Sequence, residues 1–288
     1  MTRWTVDAPT ALGFDDVTEL NVRLVAGTVA VLASDEQPSP GADGRSPRAS
    51  LAVTELSGRP IQVSHEDGVL TVAYESLTWD GLLGLLKPRK DSATVTVTVP
   101  AGCPVRLGVF SASAVVAGLR SGAAVRAMSG DITLDGVAGD ITAETMSGEV
   151  AGCDLDGAVR FTSMSGGLTL AGGTVDALSV DTMSGPFTGD VALRGSGDGR
   201  DAASVRVSTV SGEVTLRLPA DSDANVHLHS TSGRVSTEFA TLRTAKAPAS
   251  HTVSGNVGAG TGHVSVTTMS GAVTLLRGTP VGMESNTR

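Results

Sequence analysis

His227, His229 and His251 are the residues of this chain that come nearest to a metal-binding set. Imidazoles suit zinc or nickel, and side chains stacked on neighbouring strands can converge on one ion. In the repeat described below, His229 and His251 take the same position in consecutive copies, which predicts that they stack. His227 shares their face two residues earlier, whereas His263 lies elsewhere in its copy. No carboxylate or thiolate completes a shell, so the expectation is a solvated column, with no metal and no cofactor.

Carboxylates offer a second chemistry. Asp131 and Glu149 take equivalent positions in successive copies, with Asp154 and Asp156 just beyond. Enzymes that cleave polysaccharides use such a pair as acid and base or nucleophile. Here Gly167 and Pro186 interrupt the same column, and Phe161 and Phe187 fall at inward positions instead of lining a groove. The acids are read as solubilising a flat face, and the chain as not an enzyme. The segment GSGDGRD (195–201) contains Gly and Asp but no GGxGxD repeat, and is read as an ordinary loop. Cys103 and Cys153 have no CxxC partner or Cys-His context. No GxSxG, P-loop or dinucleotide fingerprint appears.

What positions these residues is a repeated phrase. Met-Ser-Gly occurs at Met128-Ser129-Gly130, Met146-Ser147-Gly148, Met164-Ser165-Gly166, Met183-Ser184-Gly185 and Met269-Ser270-Gly271. Variants stand at Val210-Ser211-Gly212, Thr231-Ser232-Gly233 and Val253-Ser254-Gly255. The serines are separated by 18, 18, 19, 27, 21, 22 and 16 residues, and Ser111 heads a degenerate copy 18 residues before Ser129. Counted from the serine, positions −6, −4 and +3 are apolar in nearly every copy, as in Val159, Phe161 and Leu168 or Leu178, Val180 and Phe187. Intervening positions are polar or charged. This alternation predicts strands with one buried face.

The buried set is even before the serine and odd after it, so the phase slips by one residue at the phrase, where the chain must bend. Glycine suits the bend through positive φ or close backbone approach. Methionine shares the parity of the inward +3 position, which predicts a flexible filler turned inward. The preceding Thr145, Ser163, Thr182, Thr209, Thr252 or Thr268 can hydrogen-bond backbone groups freed at the bend. The phrases are therefore read as structural corners of a stacked all-β coil, a β-solenoid of about 18–22 residues per turn.

Residues 105–276 carry the regular repeats. Residues 1–104 form a fainter β region continuous with them: Leu20, Val22 and Leu24 alternate before Gly27, and Ile61 and Val63 before Gly68. Two loops interrupt it, 34–50 and 76–92, and 277–288 is a C-terminal tail. Within the second loop, Trp79, Leu82, Leu83, Leu85, Leu86 and Lys87 form an apolar patch with a basic end. It reads either as a cap over an open coil end or as a contact for a protein partner or membrane surface.

Bulk composition agrees. Thirty-six glycines and 3% aromatics favour strands and turns over helices, and a formal charge of −9 argues against nucleic-acid binding. The opening MTRWTVDAPT has no charged and apolar leader pattern, which gives a cytoplasmic expectation.

The Thr-Met/Val-Ser-Gly-x-Val repeats, preceded by VTVTVPAG, resemble the bacterial β-strand-repeat family of adhesin-like proteins known as domain of unknown function 4097, over roughly residues 15–277. The resemblance implies a β-strand-repeat solenoid without established catalytic residues. The functional expectation is a non-enzymatic structural or interaction protein presenting flat outer faces and a loop patch to a partner. Two alternatives are a bactofilin-like scaffold that self-associates through its edges and, third, a polysaccharide-acting solenoid enzyme.

Overall fold

The structure is a computed structural model that describes residues 2–34, 49–74, 91–195, 202–247 and 250–279. The patch Trp79, Leu82, Leu83, Leu85, Leu86 and Lys87 lies outside the described residues, as does most of GSGDGRD. Every regular element among the described residues is a strand. Compactness divides the chain into Met1–Ala143 and Glu144–Arg288, whereas repeat regularity divides it at residue 104.

In the first unit the long strand Glu19–Ser34 is central. It runs parallel to Val105–Ala117, with Leu20 opposite Val105 and Leu32 opposite Ala117. On its other edge it pairs in parallel with Val69–Tyr74 and then with Ser92–Pro100. Val105–Ala117 in turn carries Ala123–Ala127 along its first half and Ile132–Asp135 along its second. The expected inward residues Leu20, Val22, Val29, Val31, Ile61, Val63, Leu70 and Val72 are all buried. Antiparallel strands flank this parallel stack: Thr2–Val6 on Ile61–Glu66, and Thr10–Phe14 on Ala49–Ser57.

The second unit begins the same way. Val150–Ser163 pairs in parallel with Leu168–Thr182, so that Val150 faces Leu168 and Phe161 faces Val180. The first half of Leu168–Thr182 then carries Phe187–Leu193, and its second half Ser204–Thr209. Beyond this point the rungs leave sequence order. Ser204–Thr209 pairs with Gly262–Thr268 near the C-terminal end, and Val214–Pro219 with Val273–Gly278. Ala224–Ser230 and Val235–Thr237 lie on the far side of those two late strands. The last copy of the repeat is thus inserted between two earlier ones.

The remaining copy, around Ser254, does not join this stack. It lies inside the strand Ser250–Val257, which runs antiparallel to Ala224–Ser230 and, on its other edge, to Arg243–Ala247. This corrects the expectation that Val253-Ser254-Gly255 repeats the other phrases. The cause is visible in its flanks: Pro248 and Ser250 occupy the −6 and −4 positions that hold apolar residues in the other copies. Without them the copy has no inward face to stack in parallel.

Each stacked phrase of the second unit has one geometry. Two consecutive residues, methionine (or its substitute) and serine, face solvent, with a buried Thr or Ser before them and a buried or half-buried glycine after them. That pair of outward residues is the phase slip. The buried hydroxyl accepts a hydrogen bond from the glycine amide three residues on: Ser163 from Gly166 at 2.9 Å, Thr182 from Gly185 at 3.2 Å, Thr209 from Gly212 at 2.9 Å, Thr268 from Gly271 at 3.0 Å. The serine hydroxyl donates to the main-chain carbonyl of the preceding rung, as Ser184 Oγ does to Met164 O at 3.2 Å. Glycine is required by crowding. A Cβ on Gly166 would stand 1.7 Å from the Gly148 carbonyl oxygen, and one on Gly271 would stand 1.8 Å from that of Gly212. Positive φ is not the reason at either position, since neither residue adopts it.

Candidate interaction surface

The methionines do not fill the interior. Met146, Met164, Met183 and Met269 are 47%, 50%, 56% and 61% exposed, and Val210 is 44% exposed. This overturns the inward assignment. Methionine at −1 continues the phase of the preceding strand, whose inward positions are even, and the Thr or Ser at −2 is the last inward residue. Parity with +3 misleads because the slip falls between −1 and the serine. Following the chain of backbone hydrogen bonds, Ser165 N reaches Met146 O, Ser184 N reaches Met164 O, Ser211 N reaches Met183 O, Ser270 N reaches Val210 O and Ser232 N reaches Met269 O. The exposed order is therefore Met146, Met164, Met183, Val210, Met269, Thr231. Large apolar residues seldom stand so exposed in a single line.

A second column follows the bend. Ala151, Thr169, Thr188, Thr215, Thr274 and Ser236 succeed one another in parallel register. They alternate with inward residues that are mostly leucine and valine, so the face is flat and made of small, mainly hydroxyl-bearing side chains. β-Branched threonine suits such a pleated surface.

Two arginines of the second unit hold carboxylates. Arg194 binds two carboxylates, Asp176 through Nε at 2.7 Å and Asp156 through Nη2. Arg217 likewise meets Asp190. Asp156 is thus paired with a guanidinium, not with a second carboxylate as general acid–base work would need. Asp131 is exposed in the first unit, and Glu149 and Asp154 are exposed in the second.

The histidines do not form the expected parallel column. His229 stands opposite Thr252, and His251 opposite Ser230, in antiparallel register. His229 Nδ1 lies 3.1 Å from Thr252 Oγ1, and His251 Nδ1 donates to Gly233 O at 2.8 Å. His227 is exposed opposite Ser254. Among the described residues no group of three or more His, Cys, Asp or Glu is placed to hold a metal ion.

Sequence reading missed two features of the first unit, because both join distant segments without a motif. Asp91, buried, receives the Arg59 main-chain amide at 3.0 Å and its guanidinium at 2.7 and 2.9 Å. The guanidinium also lies 5.9 Å from the centre of the Tyr74 ring. Burial, then the Asp91 charge, pushes the Tyr74 phenol up, against an opposing pull from Arg59. Trp4, Phe14 and His65 pack edge to face, with centroids 5.1 and 5.9 Å apart. Cys103 is buried, and its thiol is pushed up to about 11, chiefly by desolvation with a smaller contribution from Glu19.

A family model described as Toastrack DUF4097 matches residues 49–276, well over half of the chain. The chain belongs to the Toastrack family. The family anticipated from the phrases is the one found, and the Toastrack chain has its all-β, solenoid-like fold. No curated protein matches it. Three solved structures similar to the Toastrack chain share little sequence with it. A candidate adhesin from Bacteroides fragilis is 9% identical, covering 94% of this chain and 97% of that one, at a TM-score of 0.42. A candidate lipid-binding protein from Parabacteroides distasonis is 15% identical over 94% and 97%, at 0.36. A candidate cell adhesion protein from Clostridium sporogenes is 10% identical over 94% and 100%, at 0.25. Likeness of this degree says nothing of function. No helix among the described residues is long and apolar enough to cross a membrane.

Proposed function

We propose that this Toastrack chain is a non-enzymatic structural or interaction protein. Its Met/Val-Ser-Gly phrases act as corners of solenoid coils of about 18–22 residues. Its flat outer faces are presented to a protein partner. One observation carries the reading: in the second unit the exposed residues fall into register, rung upon rung, while the repeated hydroxyls and glycines are consumed by the backbone ladder itself. Such a surface offers extended contact and no convergent polar centre.

The test is a photo-activatable residue placed at Thr188, on the threonine column, in the producing cell. A single defined protein adduct, absent when the residue replaces Asp67 on a turn of the first unit, supports the reading. Failure to obtain any adduct from several positions of the column contradicts it. Hydrolysis of a polysaccharide that is lost on Asp131→Asn or Glu149→Gln overturns it outright.

The scaffold reading has one observation in its favour. Among the described residues, Arg243–Ala247, Thr2–Val6 and Thr10–Phe14 each pair along one edge only. An unpaired edge is a template for another strand, so end-to-end association is the second reading.

A further inference from the structure

The exposed methionine column is not required by the fold. Val210 and Thr231 occupy the same position: Val210 O accepts Ser270 Oγ as Met164 O accepts Ser184 Oγ, and Ser232 after Thr231 donates to the next rung as the other serines do, so neither the bend nor the ladder needs a thioether. Burial does not explain the choice either, since Met146, Met164 and Met183 are about half exposed. Three thioethers nevertheless stand on three consecutive rungs. The rungs are locked in register by Ser165 N to Met146 O at 3.1 Å and Ser184 N to Met164 O at 3.1 Å.

Parallel strands place equivalent residues about 4.8 Å apart. A bond between a closed-shell metal ion and sulfur is about 2.3 Å. Two thioethers on adjacent rungs can therefore hold one ion between them in a near-linear S–metal–S arrangement without distorting the backbone. A third, on the next rung, can close in through its three rotatable bonds. Thioethers are soft, neutral ligands that select soft monovalent ions, Cu(I) above all, over the harder divalent metals. The overall charge of −9 adds a weak attraction for any cation. We propose that Met146, Met164 and Met183 form a binding site for a soft monovalent d10 cation, Cu(I) or its analogue Ag(I).

The column contains its own control. Met269 is the most exposed of the four, but its neighbours are Val210 and Thr231. The nearest thioether, Met183, is two rungs away, about 9.6 Å, twice the spacing that one ion can bridge. Met269 should therefore stay empty where the triplet fills. Met164 belongs to both adjacent pairs, while Met146 and Met183 each belong to one.

The experiment is titration of the full chain, as Cys153→Ser to remove an exposed competing thiol, with silver nitrate in chloride-free buffer. The methionine methyl groups are followed by NMR. The expected result is a saturable shift of the Met146, Met164 and Met183 methyls, with Met269 unmoved over the same range. Met164→Leu should weaken uptake by about tenfold or more, and Met146→Leu by less, because the Met164–Met183 pair survives. All three positions face solvent, and an unchanged circular dichroism spectrum confirms that the fold is retained. The proposal is overturned if Met269 shifts in parallel with the other three, if none of the methyls shifts, or if Met164→Leu binds silver as the parent does.

Discussion

A Cβ on Gly166 would lie 1.7 Å from the carbonyl oxygen of Gly148 one rung below, and 2.7 Å from its carbon. That contact is with backbone, which cannot rotate away. Gly167, the next residue, would place its Cβ 3.7 Å from the Pro186 ring, an ordinary contact. Gly166→Ala should therefore destabilise the chain by about 1–3 kcal/mol, as overpacking does, while Gly167→Ala stays within about 0.5 kcal/mol of the parent. Urea unfolding of the two variants measures the difference. Equal stability would mean that the rungs are farther apart at this bend than the structure has them.

The buried hydroxyl before each phrase gives a second prediction. Thr182 is 7% exposed and accepts the Gly185 amide. Thr182→Val keeps the shape and leaves that amide without its acceptor, at a cost of about 1–3 kcal/mol. Thr182→Ser should cost much less, because Ser163 performs the same task one rung earlier. The comparison of the two midpoints in urea decides the matter.

The out-of-order rungs predict where the second unit is vulnerable. Val264 and Val266 belong to the last copy in the chain but sit in a strand paired on both edges. Val266→Asp should abolish folding of this unit, as an unpaired charge in the core does. If the copies were stacked in sequence order, the same strand would be at the end and truncation before it would be tolerated. A chain ending at residue 258 should therefore lose protection from amide exchange in Ser204–Thr209 and Ala224–Ser230, both partners of the missing strand.

The two cysteines should differ in reactivity. The nucleophile is the thiolate, and burial holds the Cys103 proton on until about pH 11, so at pH 8 its anionic fraction is very small. Cys153 is exposed. A chromogenic disulfide at pH 8 should react promptly with one thiol, and the second should react faster as the pH is raised toward 11. Mass spectrometry of the labelled peptides identifies which is which.

Much of this architecture could be read from the chain. The two-residue alternation placed Phe161, Phe187 and Val214 in the core, and the parity change marked the phase slip at the serines of the stacked phrases, though not at Ser254. Both are local properties of side chains against a pleated backbone, so they appear in the order of residues. The rung order was not legible, because parallel register is the same whichever copy lies next. Only Pro248 and Ser250, in apolar positions, signalled that one copy would leave the stack. The outward methionines were legible in principle, since −1 alternates with a buried −2. Arg59–Asp91 and Arg194 with Asp156 and Asp176 were not, because they depend on which strands become neighbours.

A chain that offers its faces to a partner instead of growing through its strand edges stays small at any concentration. Sedimentation velocity of the purified full-length protein across a wide range of concentration tests it most directly. One small species whose sedimentation coefficient does not rise with concentration is the expected result. Continuous growth into large species would contradict it and put the self-assembling scaffold in its place.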